Sequence, residues 1–242
     1  MKFGVITDIH NNYIALKTVV DKLNQAECDK IICCGDIIGI GPYPEETVQY
    51  MMQIPNLIAV RGNHEKYLLD GMPAEYPNIE NMGLEEMKHH KWEHSLLSTK
   101  SIAFLKSLPC KTDFACEAFN ISVMHYIMDI DGNYNYSNYK QNPTEQDLAD
   151  MFADVKSDII LYGHNHCRNI CKGDKLYINV GSLGCPAQDK NLARAGILKI
   201  ENGNAEIQPI DLEYDVNSVL DSIDEINYPD AENIKKFFYG NW

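Results

Sequence analysis

The chain has 242 residues, 45% of them hydrophobic and 23% charged, a balance that fits a soluble globule and excludes a disordered or fibrous chain. Its formal net charge of −14 argues against a sequence-independent grip on nucleic-acid phosphates, while a small anionic substrate stays admissible if cations are held locally. Met1–Asp8 is too short for a signal peptide and no run approaches a membrane span. The eight cysteines lack framework spacing, so a cytoplasmic protein with reduced thiols is expected.

In chain order, Lys2–Thr7 reads as a first strand. Asn12–Gln25 reads as a helix capped by Asn12, with Ile14, Leu16, Val19, Val20 and Leu23 on one face. Lys30–Gly35 is a second strand, and after the turn-rich Gly39–Pro44 a helix runs to Gln53 with Glu45 and Glu46 in its first turn. Leu57–Arg61 completes a βαβαβ opening, the mark of a layered parallel α/β unit. Residues 65–109 differ in kind: helical patterns over Ile79–Leu97 and Ser98–Leu108 predict a cap or a cover over a sheet face. Phe119–Met124 returns to strand, and Tyr126–Asn142 is a long loop rich in tyrosine and asparagine. A helix over Pro143–Val155, strands over Asp158–Tyr162 and Lys175–Val180, and a hairpin of Ala195–Ile200 with Ala205–Leu212 around Asn202-Gly203 follow. The acidic stretch Asp215–Trp242 holds one or two short helices, and no linker divides the chain.

The chemistry gathers at strand ends, where open α/β sheets collect ligands. Asp8 and His10 follow the first strand and Asp36 the second. Asn63 and His64 follow the third, His125 follows Phe119–Met124, and His164 and His166 follow Asp158–Tyr162. A single aspartate after a strand is most simply a turn or cap residue, but five strand ends in succession point to metal ligation. Imidazoles with carboxylate and amide oxygens suit Mn, Fe, Zn, Co or Ni better than Ca or Mg. The set is too large for one ion and fits two, about 3.5–4 Å apart. His89, His90 and His94 fall on adjacent faces of the predicted cap helix and read as solvated. Tyr134, Tyr136 and Tyr139 are candidates for stacking a nucleobase, though a surface loop that happens to carry tyrosines is the simpler reading.

Asp8-x-His10, Gly35-Asp36-x-x-Gly39, Gly62-Asn63-His64-Glu65, His125 and Gly163-His164-x-His166, in that order, resemble the signature of the calcineurin-like metallophosphoesterases. Ile6–Leu16 and Ile178–Pro186 are similar to the bacterial phosphodiesterase and phosphatase branch, and the likeness runs to about Ile200. The resemblance implies a four-layer α/β/β/α sandwich, with a helical cap near 70–108 and a C-terminal helical tail over 213–242, in a single domain spanning 1–242. It implies one divalent ion on Asp8, His10, Asp36 and His166 and a second on Asp36, Asn63, His125 and His164, Mn being the ion of choice in vitro. It further implies hydrolysis of phosphate mono- or diesters, nucleotide or other small-molecule, by a metal-bridging hydroxide, with His64 as general acid. Arg61 and Asn12 are the candidate substrate contacts. Gly39 and Ile40 stand where serine/threonine protein phosphatases carry an aspartate and a phosphate-binding arginine, so phosphoprotein activity is the alternative and not the first expectation. A metal-binding scaffold without turnover is the other. Tyr126 stands where a glycine is common and is expected to narrow the approach. Asn11 replaces another glycine and tolerates left-handed backbone. No membrane or stable nucleic-acid partner is expected, and oligomeric state is left open.

Overall fold

Alternation along the strands sorts the apolar side chains into three layers of core. The computed structural model describes residues 1–73, 82–127, 140–186, 189 and 191–240. Its strands β1 (Lys2–Ile6), β2 (Lys30–Cys33) and β3 (Leu57–Ala59) are parallel neighbours, joined by α1 (Tyr13–Gln25) and α2 (Pro44–Met51). β9 (Leu192–Glu201) and β10 (Asn204–Glu213) add antiparallel on the other side of β1, giving the order β10-β9-β1-β2-β3. A second sheet has the order β4-β5-β6-β8-β7, from Lys111–Cys116, Phe119–Met124, Ile159–Leu161, Leu176–Asn179 and Asn169–Lys172 respectively.

Phe3, Val5, Ile32 and Cys34 of the first sheet meet Ile121, Val123, Ile159, Leu161 and Ile178 of the second, so a core lies between the sheets. The intervening positions Ile6, Ile31 and Cys33 face the other way, into a cluster with Leu16, Val19, Val20 and Leu23 of α1 and Val48 and Met51 of α2. A period of two in the strands against 3.6 in the helices produces this split. Beyond the second sheet, Leu148, Met151 and Phe152 of α6 (Glu145–Met151) and its C-terminal end pack on Ile160, Tyr162 and Tyr177. The layers are therefore α/β/β/α.

Between the sheets in sequence lie α3 (Asn63–Leu69), α4 (Leu84–Ser95) and α5 (Thr99–Ser107). The sequence pattern missed α3, which starts directly after the third strand, and it missed β4 and β7. The predicted start of the α4 helix at Ile79 and the tyrosines at 134, 136 and 139 lie outside the described residues. The C-terminal segment does more than trail the domain: α7 (Val216–Glu225) and α8 (Ala231–Phe238) bury Val216, Val219, Ile223 and Ile234 in the same cluster as α1. Among the described residues no helix is long and apolar enough to cross a membrane.

Candidate metal centre

The carboxyl ends of β1, β2, β3, β5 and β6 open on one edge of the sandwich, and the residues just beyond them turn inward through left-handed backbone. Asp8, His10, Asp36, His164 and His166 have φ of 52°, 50°, 51°, 73° and 57°. Such conformations cost about 1–2 kcal/mol per non-glycine residue and persist where the surroundings impose them. Asn11 shares the conformation, at φ 56°, in keeping with its tolerance of it.

Buried carboxylates hold these turns by accepting hydrogen bonds. Glu65, fully buried on α3, accepts from the backbone N–H of Gly62 (2.6 Å), Asp36 (3.1 Å), Ile37 (2.8 Å) and Ile38 (3.0 Å). Burial pushes its carboxyl up to about 7, while the amides favour the anion. Asp8 accepts from Thr7 Oγ1 (2.7 Å) and from the His164 N–H (3.0 Å to Oδ1), and burial raises its pKa. Asp36 Oδ1 accepts the N–H of His64 (3.0 Å), leaving Oδ2 directed at the imidazoles.

The convergence is close. Asp36 Oδ2 lies 3.0 Å from His125 Nε2 and 3.9 Å from both His10 Nε2 and His64 Nε2. Asp8 Oδ1 is 3.7 Å from His166 Nε2 and 3.9 Å from His10 Nε2. Asn63 Oδ1 is 3.1 Å from His125 Nε2 and 3.0 Å from His164 Nδ1. Asp8, His10 and His166, and Asp36, His125 and His164, each bring one donor atom apiece within 4.8 Å of one another.

This donor set fits divalent cations. His10 Nδ1 faces the carbonyl of Ile38 (3.2 Å) and His125 Nδ1 that of Cys34 (2.8 Å), so each Nδ1 carries the proton and each Nε2 presents a lone pair inward. His10 Nε2 and His166 Nε2 then stand 2.9 Å apart, an arrangement of acceptors that a shared cation reconciles. Burial holds His10 well below the usual imidazole range and His164 at about 3, both neutral as ligation requires. Burial also works against a proton on His125, yet the charge of Asp36 overrides it and lifts the group to about 9. For Asp36 burial is likewise outweighed, by His125 and His64, and its pKa falls well below the usual carboxylate range. Both shifts register a demand for positive charge at one point.

Of the remaining predicted residues, His64 borders this cluster, its ring in T-shaped contact with His10 at 4.9 Å, and its Nδ1 is buried without a hydrogen-bond partner. Burial holds it well below the ordinary range, so it is neutral until an anion approaches. Asn12, a candidate substrate contact, is fully buried, its Oδ1 accepting from Ala15 N (3.0 Å) to cap α1 and its Nδ2 donating to Gly184 O (3.0 Å). Arg61, the other candidate substrate contact, directs Nε to Cys110 Sγ at 3.2 Å, while Glu65 serves the backbone amides. Tyr126 does not narrow the approach. Its fully buried ring packs on that of His164 at 4.6 Å.

His89 and His90, read from the sequence as solvated, are buried at 4% and 1% exposure. His90 Nδ1 pairs with Glu93 Oε1 at 2.7 Å, and Glu93 Oε2 accepts from Asn11 Nδ2 (2.5 Å) and Gly39 N (3.2 Å). The His90 ring lies 5.0 Å from that of His64. Glu93 is the neighbour that sequence reasoning missed, and Glu65 stood in the sequence signature without a role. For Glu65 a signal was present, an acidic residue in the first turn after Gly62.

An α/β/β/α sandwich with carboxylate, amide and imidazole donors grouped at its strand ends defines a protein with a candidate metal-binding centre. A sequence model of the calcineurin-like phosphoesterase superfamily domain matches residues 1–203, and the chain belongs to that superfamily. It is 26% identical over 250 residues to an uncharacterised protein of Methanocaldococcus jannaschii, covering 94% of this chain and 93% of that one. In structure it resembles a hypothetical protein of Pyrococcus horikoshii OT3 (TM-score 0.81, 17% identity, 99% and 98% of the two chains covered). It also resembles a metallophosphoesterase from Sphaerobacter thermophilus (TM-score 0.72, 20% identity, 98% and 97% covered).

Proposed function

We propose that the chain is a dinuclear-metal-dependent phosphoesterase acting on phosphate mono- or diesters of small molecules. The observation that supports this reading best is Asp36, whose Oδ2 faces the ring nitrogens of His10, His64 and His125 from the middle of the cluster. Asp8, His10, Asp36 and His166 would hold one ion and Asp36, Asn63, His125 and His164 the other, with Asp36 shared. When bound, such a pair supplies Lewis acidity, neutralising phosphoryl charge and making water acidic enough to attack near neutral pH.

The chain's own residues do the rest. Asp8 and Asp36 bring the negative charge that retains the ions; Thr7 and the His164 N–H keep the Asp8 carboxylate from rotating, the His64 N–H does so for Asp36, and Glu65 holds the Asp36 backbone amide. The carbonyls of Ile38 and Cys34 fix the tautomers of His10 and His125. His64 Nε2 is the proton donor to the departing oxygen. Ile40, at the position where a phosphoprotein-type relative would place its arginine, is an apolar residue at 4% exposure, which favours small esters over phosphoproteins.

The test is hydrolysis of p-nitrophenyl phosphate and bis-p-nitrophenyl phosphate with added Mn, before and after chelation. Turnover that disappears with the metal and returns on reloading is expected. Turnover of neither ester, with metal demonstrably bound, overturns the reading in favour of a scaffold.

A further inference from the structure

Beside the metal cluster lies a cavity of about 360 Å³ whose wall includes His64 and His166 at one end and helix α8 at the other. Its volume is in the range of small-molecule sites. Ile40, Ile234 and Phe238 give it apolar sides, and Phe237 stands at its rim with 60% of its surface exposed, unusual for a phenyl group on a helix otherwise seated in the core. Ile234 on the same helix is buried at 3%, and Tyr239 just beyond it is fully buried, so α8 is anchored while Phe237 projects. The carboxylates lining the cavity, among the described residues, are those of Glu86 and Asp230, and the His90 imidazole that also lines it pairs with Glu93 at 2.7 Å. Among the described residues no lysine or arginine lines it, and Lys236 Nζ lies 5.6 Å from the centroid of the Phe237 ring at the rim. Asn233, whose Nδ2 donates to Asp230 Oδ1 at 2.8 Å, adds an amide at the α8 end.

His64 marks the direction in which the departing oxygen leaves, and the space beyond His64 is this cavity. We propose that the cavity receives the leaving-group alcohol of the phosphoester, and that the alcohol it fits is uncharged and ring-bearing, a phenol or a nucleoside. The inference rests on the phosphoesterase reading above. Apolar walls and a projecting phenyl ring favour a flat apolar body through ring contact. Glu86 and Asp230 disfavour a leaving group that carries its own phosphate or carboxylate, the His90 imidazole being already paired with Glu93 and within 3.9 Å of Glu86.

Two measurements test this. Metal-stripped protein is titrated with phenol and with adenosine by ligand-observed NMR, and Mn-loaded protein is assayed on phenyl phosphate, methyl phosphate and p-carboxyphenyl phosphate. Saturable alcohol binding is expected, weakened about fivefold by Phe237→Ala, with a matching fall in the ratio of kcat/KM for phenyl over methyl phosphate. Asp230→Asn, which suits the left-handed backbone at that position (φ 62°), raises p-carboxyphenyl phosphate relative to phenyl phosphate. Hydrolysis by the wild type with no saturable alcohol binding, and with the phenyl preference unmoved in Phe237→Ala, overturns the pocket and leaves the phosphoesterase reading in place. Alcohol binding that depends on Phe237, in protein that hydrolyses none of the esters, overturns the phosphoesterase reading and keeps the alcohol site.

Discussion

Replacing His90 by glutamine should change how stability depends on pH, and the structure gives the size of the effect. Burial disfavours an imidazolium at His90, but hydrogen bonds and charge from Glu86 and Glu93 overcome it and raise the group from 6.5 to about 9. The other titratable groups around it are His89 and His94 on α4 and His64 and Tyr67 on α3. A histidine that holds its proton more tightly folded than unfolded adds stability that is complete below pH 6.5. That stability is lost as pH rises through about 9. The interval is worth about 3 kcal/mol, most of it through Glu93, which is fully buried, since Glu86 is 46% exposed and screened by water. His125, also raised to about 9, titrates in the same window, so the quantity to read is the difference between wild type and His90→Gln. Urea unfolding of metal-stripped protein, followed by the fluorescence of Trp92 and Trp242 at steps from pH 6.5 to 9.5, gives that difference. It should shrink by about 3 kcal/mol across the window. A difference flat to within about 1 kcal/mol would mean that the His90–Glu93 contact is not an ion pair.

Other expectations are simpler. Asp36→Asn should weaken binding of both ions by at least about a hundredfold, read as metal retained per chain after dialysis; retention of two ions would refute the shared role. His64→Ala should lower turnover of alkyl esters by about a hundredfold to ten-thousandfold, and of p-nitrophenyl esters by much less, with metal content unchanged. Equal loss on both would point to a structural part for the ring. Gly39→Asp, which installs the aspartate of the protein-phosphatase relatives, should cost stability and activity together. A Cβ at position 39 (φ 137°) runs into the His64 ring and lies 2.9 Å from His10 Nδ1. About 2 kcal/mol or more in urea unfolding is expected, and a neutral or stabilised variant would contradict the packing.

The strands that carry ligands were legible because each is a short apolar run that ends in a polar side chain, and because alternation along them sorts two faces. β4 and β7 were not, since Lys111–Cys116 and Asn169–Lys172 are edge strands without a fully buried face. Helix α4 defeated periodicity in another way. Its buried residues are Met87, His89, His90 and Glu93, three of them polar, and a pattern that equates apolar with inside turns such a helix the wrong way round. Those residues are inside because they satisfy one another and the loops below, which is a tertiary fact. Asn12, a candidate substrate contact from the sequence, is taken up at both ends of its amide, the oxygen by the N-terminus of α1 and the nitrogen by the carbonyl of Gly184.

Glu93 joins parts of the molecule that the sequence keeps far apart. Its Oε2 accepts from Asn11, in the loop that carries His10, and from Gly39, in the loop that carries Asp36, while its Oε1 holds His90 against His64. One carboxylate therefore ties the inserted helix to the two loops that Asp36 and His10 depend on, and to His90 beside the His64 ring. The absence of a side chain at Gly39 belongs to the same arrangement, because any Cβ there would occupy the space of the His64 ring. A chain that gives up an acidic residue at position 39 loses a local partner for its histidine. His90, from a helix about fifty residues onward in the sequence, packs its ring against that of His64 without hydrogen-bonding to it, and the hold of that helix on the loops is set by burial and not by proximity along the backbone.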